Sequence, residues 1–165
     1  FGPGKKWSYQ PLTLSSDYRE LLENSMVLIY TGQVRESSKI NAGLFENIEG
    51  KTKYLEKLRA LSFECRLIFE KKENLNSIGE MLHESWILKK QLNPLATNSH
   101  IDDLYESAMA NGALGGKVLG AGGGGFMLFW VSSHDREKLI SKLRVGLHVP
   151  FSISETGSEV IYDSN

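Results

Sequence analysis

From Gly115 to Val131 the chain reads Gly115-Gly116-Lys117-Val118-Leu119, then Gly120-Ala121-Gly122-Gly123-Gly124-Gly125, then the apolar run Phe126-Met127-Leu128-Phe129-Trp130-Val131. Five glycines in six positions remove nearly every Cβ from that stretch, so its backbone can approach a ligand closely, at a high entropic cost on ordering. The order is strand or turn, glycine loop, strand. Two readings of the loop stay open. Its outward amides can cradle a phosphate or another anion, or the loop is a tight and merely permissive connection.

The rest of the chain supplies the frame. Ser25 to Thr31 is a short apolar, β-branched run closed by Gly32, which predicts a buried strand ending in a turn. A looser helical pattern follows from Val34 to Phe45. Residues Thr52 to Glu73 place Leu55, Leu58, Leu61, Cys65 and Ile68 at three- and four-residue spacing, the stripe of an amphipathic helix. The next helix carries Ile78, Met81, Leu82 and Ser85 and ends near Asn93-Pro94, because proline lacks the amide that continuation needs. A third opens at Ser99, with Asp102 in a capping-box position, and stops at Asn111-Gly112. Ser132 with Asp135 can cap a helix bearing Leu139, Ile140 and Leu143, after which Val149 to Ile153 and Glu159 to Tyr162 read as a closing hairpin. Trp7 to Leu12 reads as the tail of a strand. The class is α+β, an antiparallel sheet covered mainly on one face by helices.

Named glycine motifs fail on context. Gly120, Gly122 and Gly125 fit the dinucleotide fingerprint by letter, but that motif needs a helix after its last glycine and an acid about 20 residues on. The sequence offers a strand and Val145. The loop lies between strands like that of protein kinases, yet no Val-Ala-Ile-Lys, His-Arg-Asp or Asp-Phe-Gly set follows. Gly50-Lys51-Thr52 imitates the end of a P-loop, but Phe45 stands where its first glycine belongs.

Composition narrows the classes further. At 165 residues and 41% apolar the chain fits one domain with a real core. With 19 basic and 20 acidic residues its formal charge is -1, and no basic stripe interleaved with aromatics marks a nucleic-acid partner. No apolar run is long enough to span a bilayer, and Phe1-Gly2-Pro3-Gly4-Lys5-Lys6 is no signal peptide. The lone Cys65 among Phe63, Leu67, Ile68 and Phe69 reads as a reduced core thiol, which fits a cytoplasmic setting. The missing initiator methionine suggests an excised piece.

Catalytic signals are few. His83 and Glu84 are helix neighbours without a second histidine at i+4, so no metal site is expected. Ser132, Ser133, His134 and Asp135 and the pair Asp102 and Asp103 are better explained by helix capping and helix-end charge than by a triad or an acid-base pair. No general base is named. Arg35 and Lys39 lie one turn apart after a strand end, where a cationic pair could grip a phosphorylated substrate or simply face solvent. Lys117 precedes the glycine loop and either adds charge there or covers apolar surface with its stem.

The stretch Gly115 to Phe126 is similar to the third signature motif of the GHMP (galactose, homoserine, mevalonate, phosphomevalonate) kinases. Tyr30-Thr31-Gly32 with Arg35 and Ser37, His83-Glu84-Ser85-Trp86 through Lys89-Lys90, Leu92-Asn93-Pro94 with Thr97-Asn98, Ile101-Asp102, Val149-Pro150-Phe151 and Gly157-Ser158 extend the resemblance toward the heptose-phosphate kinases and their fucokinase-like relatives. It implies a ferredoxin-like C-terminal domain, residues 1–165, of a two-domain kinase that moves the γ-phosphoryl of ATP to a hydroxyl. The acceptor implied is D-glycero-D-manno-heptose 7-phosphate at its anomeric hydroxyl, on a route to cell-surface glycans. The alternatives are a fucokinase-like enzyme for an unphosphorylated sugar and a non-catalytic module on the same scaffold. Gly122, Gly123, Gly124 and Gly125 would contact phosphate, Gly120 and Ala121 would shape the loop, and Thr31, Arg35 and Lys117 would serve the acceptor. The family's Pro-x-x-x-Gly-Leu-Gly-Ser-Ser loop, its Mg2+ ligands and its catalytic acids belong to an N-terminal domain whose motifs this chain lacks, so the chain alone is expected to be inactive. A bared domain face would favour dimers.

Overall fold

The computed structural model describes residues 13–36, 38, 40, 48–72, 74–154 and 162. Among them are five α-helices and four strands. Helix α1 spans Ser16–Asn24, strand β1 Met26–Tyr30, α2 Ile48–Lys71, α3 Asn76–Leu92, α4 Ser99–Ala110, β2 Ala113–Val118, β3 Phe126–Val131, α5 Arg136–Lys142 and β4 Leu147–His148; a 3-10 turn covers Pro94–Ala96. The sheet order is β2-β3-β1-β4 and every pairing is antiparallel. This is the ferredoxin-like α+β arrangement that the sequence implied.

β1 forms because its residues Met26 to Tyr30 are aliphatic or aromatic and alternate in environment. Val27 and Ile29 are fully buried, whereas their neighbours are half-covered. In β3, Met127, Phe129 and Val131 face the same core as Val27 and Ile29, joined by Trp86 from α3, Ile101, Leu104, Tyr105 and Ala108 from α4, and Leu139 from α5. Trp130, turned the other way by the period of two, joins Tyr18, Leu22 and Ile78 in a second cluster.

The helix ends follow from single residues. At Asn93 the backbone is extended, with φ -148°, and its side chain accepts from Leu95 N at 3.1 Å while donating to Ile40 O at 2.6 Å. Asn93 therefore stops α3 and starts the Pro94 turn in one step. α4 is capped by Asn98, whose Oδ1 accepts from Ile101 N at 3.1 Å, and not by Ser99. Its far end closes at Asn111, and Gly112 takes φ +103° there.

Several expectations shift. Asp135 rather than Ser132 precedes α5, and no side-chain cap bond forms; the Ser132 carbonyl instead accepts from Asp135 N at 2.8 Å. The stripe on α2 buries unevenly: Cys65, Ile68 and Phe69 pack on the second cluster, but Leu55 is 43% exposed and Phe63 and Leu67 half-exposed. Burial pushes the Cys65 thiol up, which keeps it protonated and unreactive. The last strand is Leu147–His148 rather than Val149 to Ile153, although Val149 N still donates to Leu28 O at 2.9 Å. Trp7 to Leu12, most of Val34 to Phe45, Lys39, and Glu159 to Ile161 lie outside the described residues.

Candidate functional site

The glycine loop links two neighbouring antiparallel strands, and residues from three other parts of the chain pin it. Leu119 N donates to Phe126 O at 2.8 Å and closes its base. Gly123 N donates to Ala96 O at 2.7 Å, tying the middle to the 3-10 turn, and Gly125 N donates to Gln33 O at 2.8 Å. Thr31 holds the far end twice: its amide and its hydroxyl both donate to Gly125 O, at 2.8 and 2.9 Å. Asn98 Nδ2 donates to Gly123 O at 3.3 Å and to Gln33 Oε1 at 3.0 Å. His100 Nε2 lies 2.9 Å from Thr31 O, so that nitrogen carries the proton.

These ties explain why side chains are missing. A Cβ on Gly122 would sit 2.7 Å from Ala96 O, and one on Gly124 2.7 Å from Gln33 O; backbone occupies both places. Gly123 is hemmed by Ile40 Cδ1 at 2.9 Å. Gly120 and Gly125 would meet nothing within 4 Å and are selected instead by φ of +64° and +81°. Since Gly123 and Gly125 spend their amides inward, those of Gly120, Ala121, Gly122 and Gly124 remain without a protein acceptor among the described residues. Packing crowds a Cβ at three glycines of the tract, and four of its amides have no protein acceptor among the described residues, although Gly124 is itself buried.

Arg35 lies over the loop, with its Cγ 3.4 Å from the Cβ position of Gly123, and it is exposed. Thr31 is 2% exposed and its hydroxyl is committed to Gly125, which makes it a latch of the loop. Lys117 points from β2 toward α3, where Nζ donates to Ser85 Oγ at 3.1 Å. The geometry therefore gathers Thr31 and Arg35 at the end of the loop and leaves Lys117 at its beginning.

The sequence assigned no role at the loop to Lys89, Gln33 or Asn98, although Lys89 and Asn98 lie in the stretches that carry the resemblance. Lys89 Nζ donates to Val118 O at 3.0 Å and Gly120 O at 2.7 Å. Burial, followed by the nearby Lys117 charge, lowers its ammonium from 10.5 to about 8, and burial lowers Lys117 as well. Beneath them Tyr105 Oη lies 2.6 Å from His83 Nδ1. Burial pushes the phenol up to about 12, against a backbone hydrogen bond from Gly116.

These shifts set a pH profile for stability. Between about 8 and 10.5 the folded chain holds fewer protons at Lys89 than the unfolded chain does, so stability rises with pH across that window and falls again as pH drops through 8. Tyr105 acts in the opposite sense: its contribution is complete below 10 and is lost as pH rises toward 12. Urea midpoints are expected to climb from pH 8 to 10 and decline beyond. A midpoint that falls steadily from pH 8 would contradict the burial of Lys89.

Comparison with known proteins follows the same residues. Residues 65–146, from within α2 to just before β4, match the family described as GHMP kinases C terminal. This is a GHMP kinase C-terminal domain. The GHMP domain is 30% identical over 164 residues to a D-glycero-alpha-D-manno-heptose 7-phosphate kinase of Campylobacter jejuni, covering 95% of this chain and 47% of that protein. A bifunctional fucokinase/GDP-fucose pyrophosphorylase of Arabidopsis thaliana is 26% identical over 152 residues, or 87% of this chain and 14% of that one. The chain thus spans about half of the first relative and about a seventh of the second. The fold is shared with L. major mevalonate kinase, with TM-score 0.63, 17% identity and coverage of 74% of this chain and 40% of that one. It is also shared with a D-glycero-D-manno-heptose 1-phosphate kinase from Bacteriodes thetaiotaomicron, with TM-score 0.60, 23% identity and coverage of 87% and 37%.

For this GHMP domain, no group of three or more His, Cys, Asp or Glu side chains among the described residues could hold a metal ion. No described helix is long and apolar enough to cross a membrane.

Proposed function

We propose that the chain is the C-terminal part of an ATP-dependent sugar kinase whose acceptor is D-glycero-D-manno-heptose 7-phosphate, phosphorylated at the anomeric hydroxyl. The observation that carries this reading is the pinned glycine loop, with four uncommitted amides and Arg35 laid over it. Fixed amides of this kind stabilise charge on a transferring phosphoryl group without reorganising as the charge develops. Likeness to the Campylobacter heptose kinase over 95% of the chain supports the acceptor. Of the residues assigned to the acceptor, Arg35 would grip the sugar's phosphate, Lys117 would add charge at the start of the loop, and Thr31 would act by holding Gly125 in place. The γ-phosphoryl of ATP and the Mg2+ that accompanies it would be bound chiefly by an N-terminal domain of the same protein, in the cytoplasm, and the chain alone would be inactive. The product would feed the assembly of cell-surface glycans.

The test is ATP-dependent phosphorylation of the heptose 7-phosphate by this chain alone and by the chain joined to its natural upstream sequence. Activity only in the longer protein is the expected result, and activity in the short chain would mean that the chemistry is misplaced. A fucokinase-like reading has its own support in the Arabidopsis match. Arg35→Ala in the longer protein separates the two. It should lower kcat/KM for the sugar phosphate about 10- to 100-fold, the worth of a charge-assisted hydrogen bond, and leave an unphosphorylated sugar nearly unchanged. Equal losses for both would exclude Arg35 as the phosphate grip.

A further inference from the structure

Two lysines flank the start of the glycine loop with no carboxylate partner. Lys89, in the last turn of α3, lies with its ammonium 5.9 Å from the centroid of the Trp86 ring and reaches the carbonyls of Val118 and Gly120. Lys117 reaches Ser85 on the same helix. Ion pairs among the described residues join Arg66 with Glu70, Lys90 with Asp102, and Arg136 with Glu137, and none of these involves either lysine. Two half-buried like charges without a counter-ion are costly to fold around.

The geometry gives them a use. The carbonyls of Val118 and Gly120 stand at the start of a loop with amides that lack a protein acceptor among the described residues, and an unmasked carbonyl oxygen there would repel an anion bound to those amides. An ammonium has three N–H bonds. Two mask those oxygens, and the third, with the positive charge, remains.

We propose that Lys89 is a positioning residue of the glycine loop: it ties down the carbonyls of Val118 and Gly120 and, with Lys117, supplies the positive charge that draws a ligand's phosphate to the amides of Gly120, Ala121 and Gly122. The inference rests on the reading of the loop as a phosphate site. The phosphate could be the nucleotide's or the sugar's, and the shared chemistry is what the lysines recognise.

The test is titration of the 15N-labelled chain with inorganic pyrophosphate and, separately, with a hexose 6-phosphate, read from the amide shifts of Gly120 to Gly125. Lys89→Met should weaken binding at least 10-fold, Lys117→Met about 3- to 10-fold, and Lys89→Arg less than 3-fold. The probe that loses more identifies the source of the phosphate. A pH series separates charge from scaffolding. The neutral amine keeps two N–H bonds, enough for both carbonyls, so a purely structural tie would survive deprotonation. With Lys89 lowered to about 8, wild-type affinity should fall relative to Lys89→Arg between pH 7 and 9.5. The charged groups on the elements packed around it include Lys117 on β2 and, on α3 and α4, Lys90 and Asp102, which pair with each other.

Binding by Lys89→Met equal to wild type, a Lys89→Arg variant as weak as Lys89→Met, or no amide response in the wild-type chain would overturn the proposal. If Lys89→Met does not fold, as circular dichroism would show, Lys117→Met and the wild-type pH series decide the matter. A wild-type loop that binds pyrophosphate through Lys89 in a longer protein that phosphorylates no sugar would sink the kinase reading and leave this inference standing.

Discussion

Gly115→Ala should leave α3 unable to rest on β2. A Cβ there would fall on the carbonyl oxygen of Gly79, with Gly79 C at 2.8 Å and His83 N at 2.9 Å, all of it helix backbone with no flexible side chain to yield. The contact is tight from the other side as well, since a Cβ on Gly79 would sit 3.2 Å from Trp130 Cδ1. Strand and helix meet glycine to glycine where the β2 register shifts between Ala113 and Gly115. Accommodating one methyl group means moving α3, which carries Trp86 and Leu88 into the core. Overpacking of this kind costs about 3 kcal/mol and at times more, against a total of roughly 5–15 kcal/mol for a domain. Urea denaturation should show roughly a fifth to three fifths of the stability gone, with Gly120→Ala as the comparison: no atom lies within 4 Å of its Cβ, and only φ of +64° is strained, at about 1–2 kcal/mol. A Gly115→Ala chain within 1 kcal/mol of wild type would mean that helix and strand have slack.

Gly122→Ala should strike activity harder than stability. Its φ is +110° and its Cβ would sit 2.7 Å from Ala96 O and 2.8 Å from Ala96 Cα. The cost to folding is about 1–3 kcal/mol, because a surface loop can move off the turn where a helix cannot leave a sheet. On the proposed kinase reading, that movement carries the amides of Ala121 and Gly122 away from the transferring group. Misplacement by about 1 Å can cost 100-fold in rate. In the chain joined to its natural upstream sequence, kcat/KM should therefore fall about 100-fold or more with the melting temperature lowered by only a few degrees. Activity kept within threefold would show that the loop's position is irrelevant to transfer.

The frame of the domain was legible because its signals are local. Asn93-Pro94 and Asn111-Gly112 end the helices they were expected to end. The aliphatic run of β1 and the strand after the glycine tract needed only composition and period. Asn98 and Ser99 are both good caps, and what separates them is the extended backbone of Asn98, with φ -158°, which tertiary contact imposes. Helix α1 is nine residues long and its buried residues are only Tyr18 and Leu22, too weak a pattern to stand out. β4 is pinned by Ile29 and Tyr30 over two residues, a length at which propensity says nothing.

At the glycine tract the sequence showed a close approach but not its partners, for a different reason. The glycines announced a close approach without saying to what, and at Gly122 and Gly124 the answer is the chain's own backbone. Thr31 was assigned to the acceptor by resemblance alone, and the sequence did not show that its hydroxyl is committed to Gly125. Lys89 stands beside Lys90 at a helix end, and nothing in the sequence tells the two apart; only the crossing of α3 over β2 turns one to the loop and the other to Asp102.

The loop's ties also fix when it forms. Its own strands are close in sequence, but the bonds that hold it reach to Gln33 and Thr31, the latter 94 positions from Gly125, and to Ala96 and Asn98. Such contacts come late, together with the β1–β3 pairing that sets Tyr30 beside Phe126, because a long loop has to close first. The β2–β3 hairpin and its helices can thus be in place while the loop is still unfixed. Read in reverse, whatever parts β1 from β3 also undoes the stitches at Thr31 and Gln33 and loosens the backbone of the glycine loop.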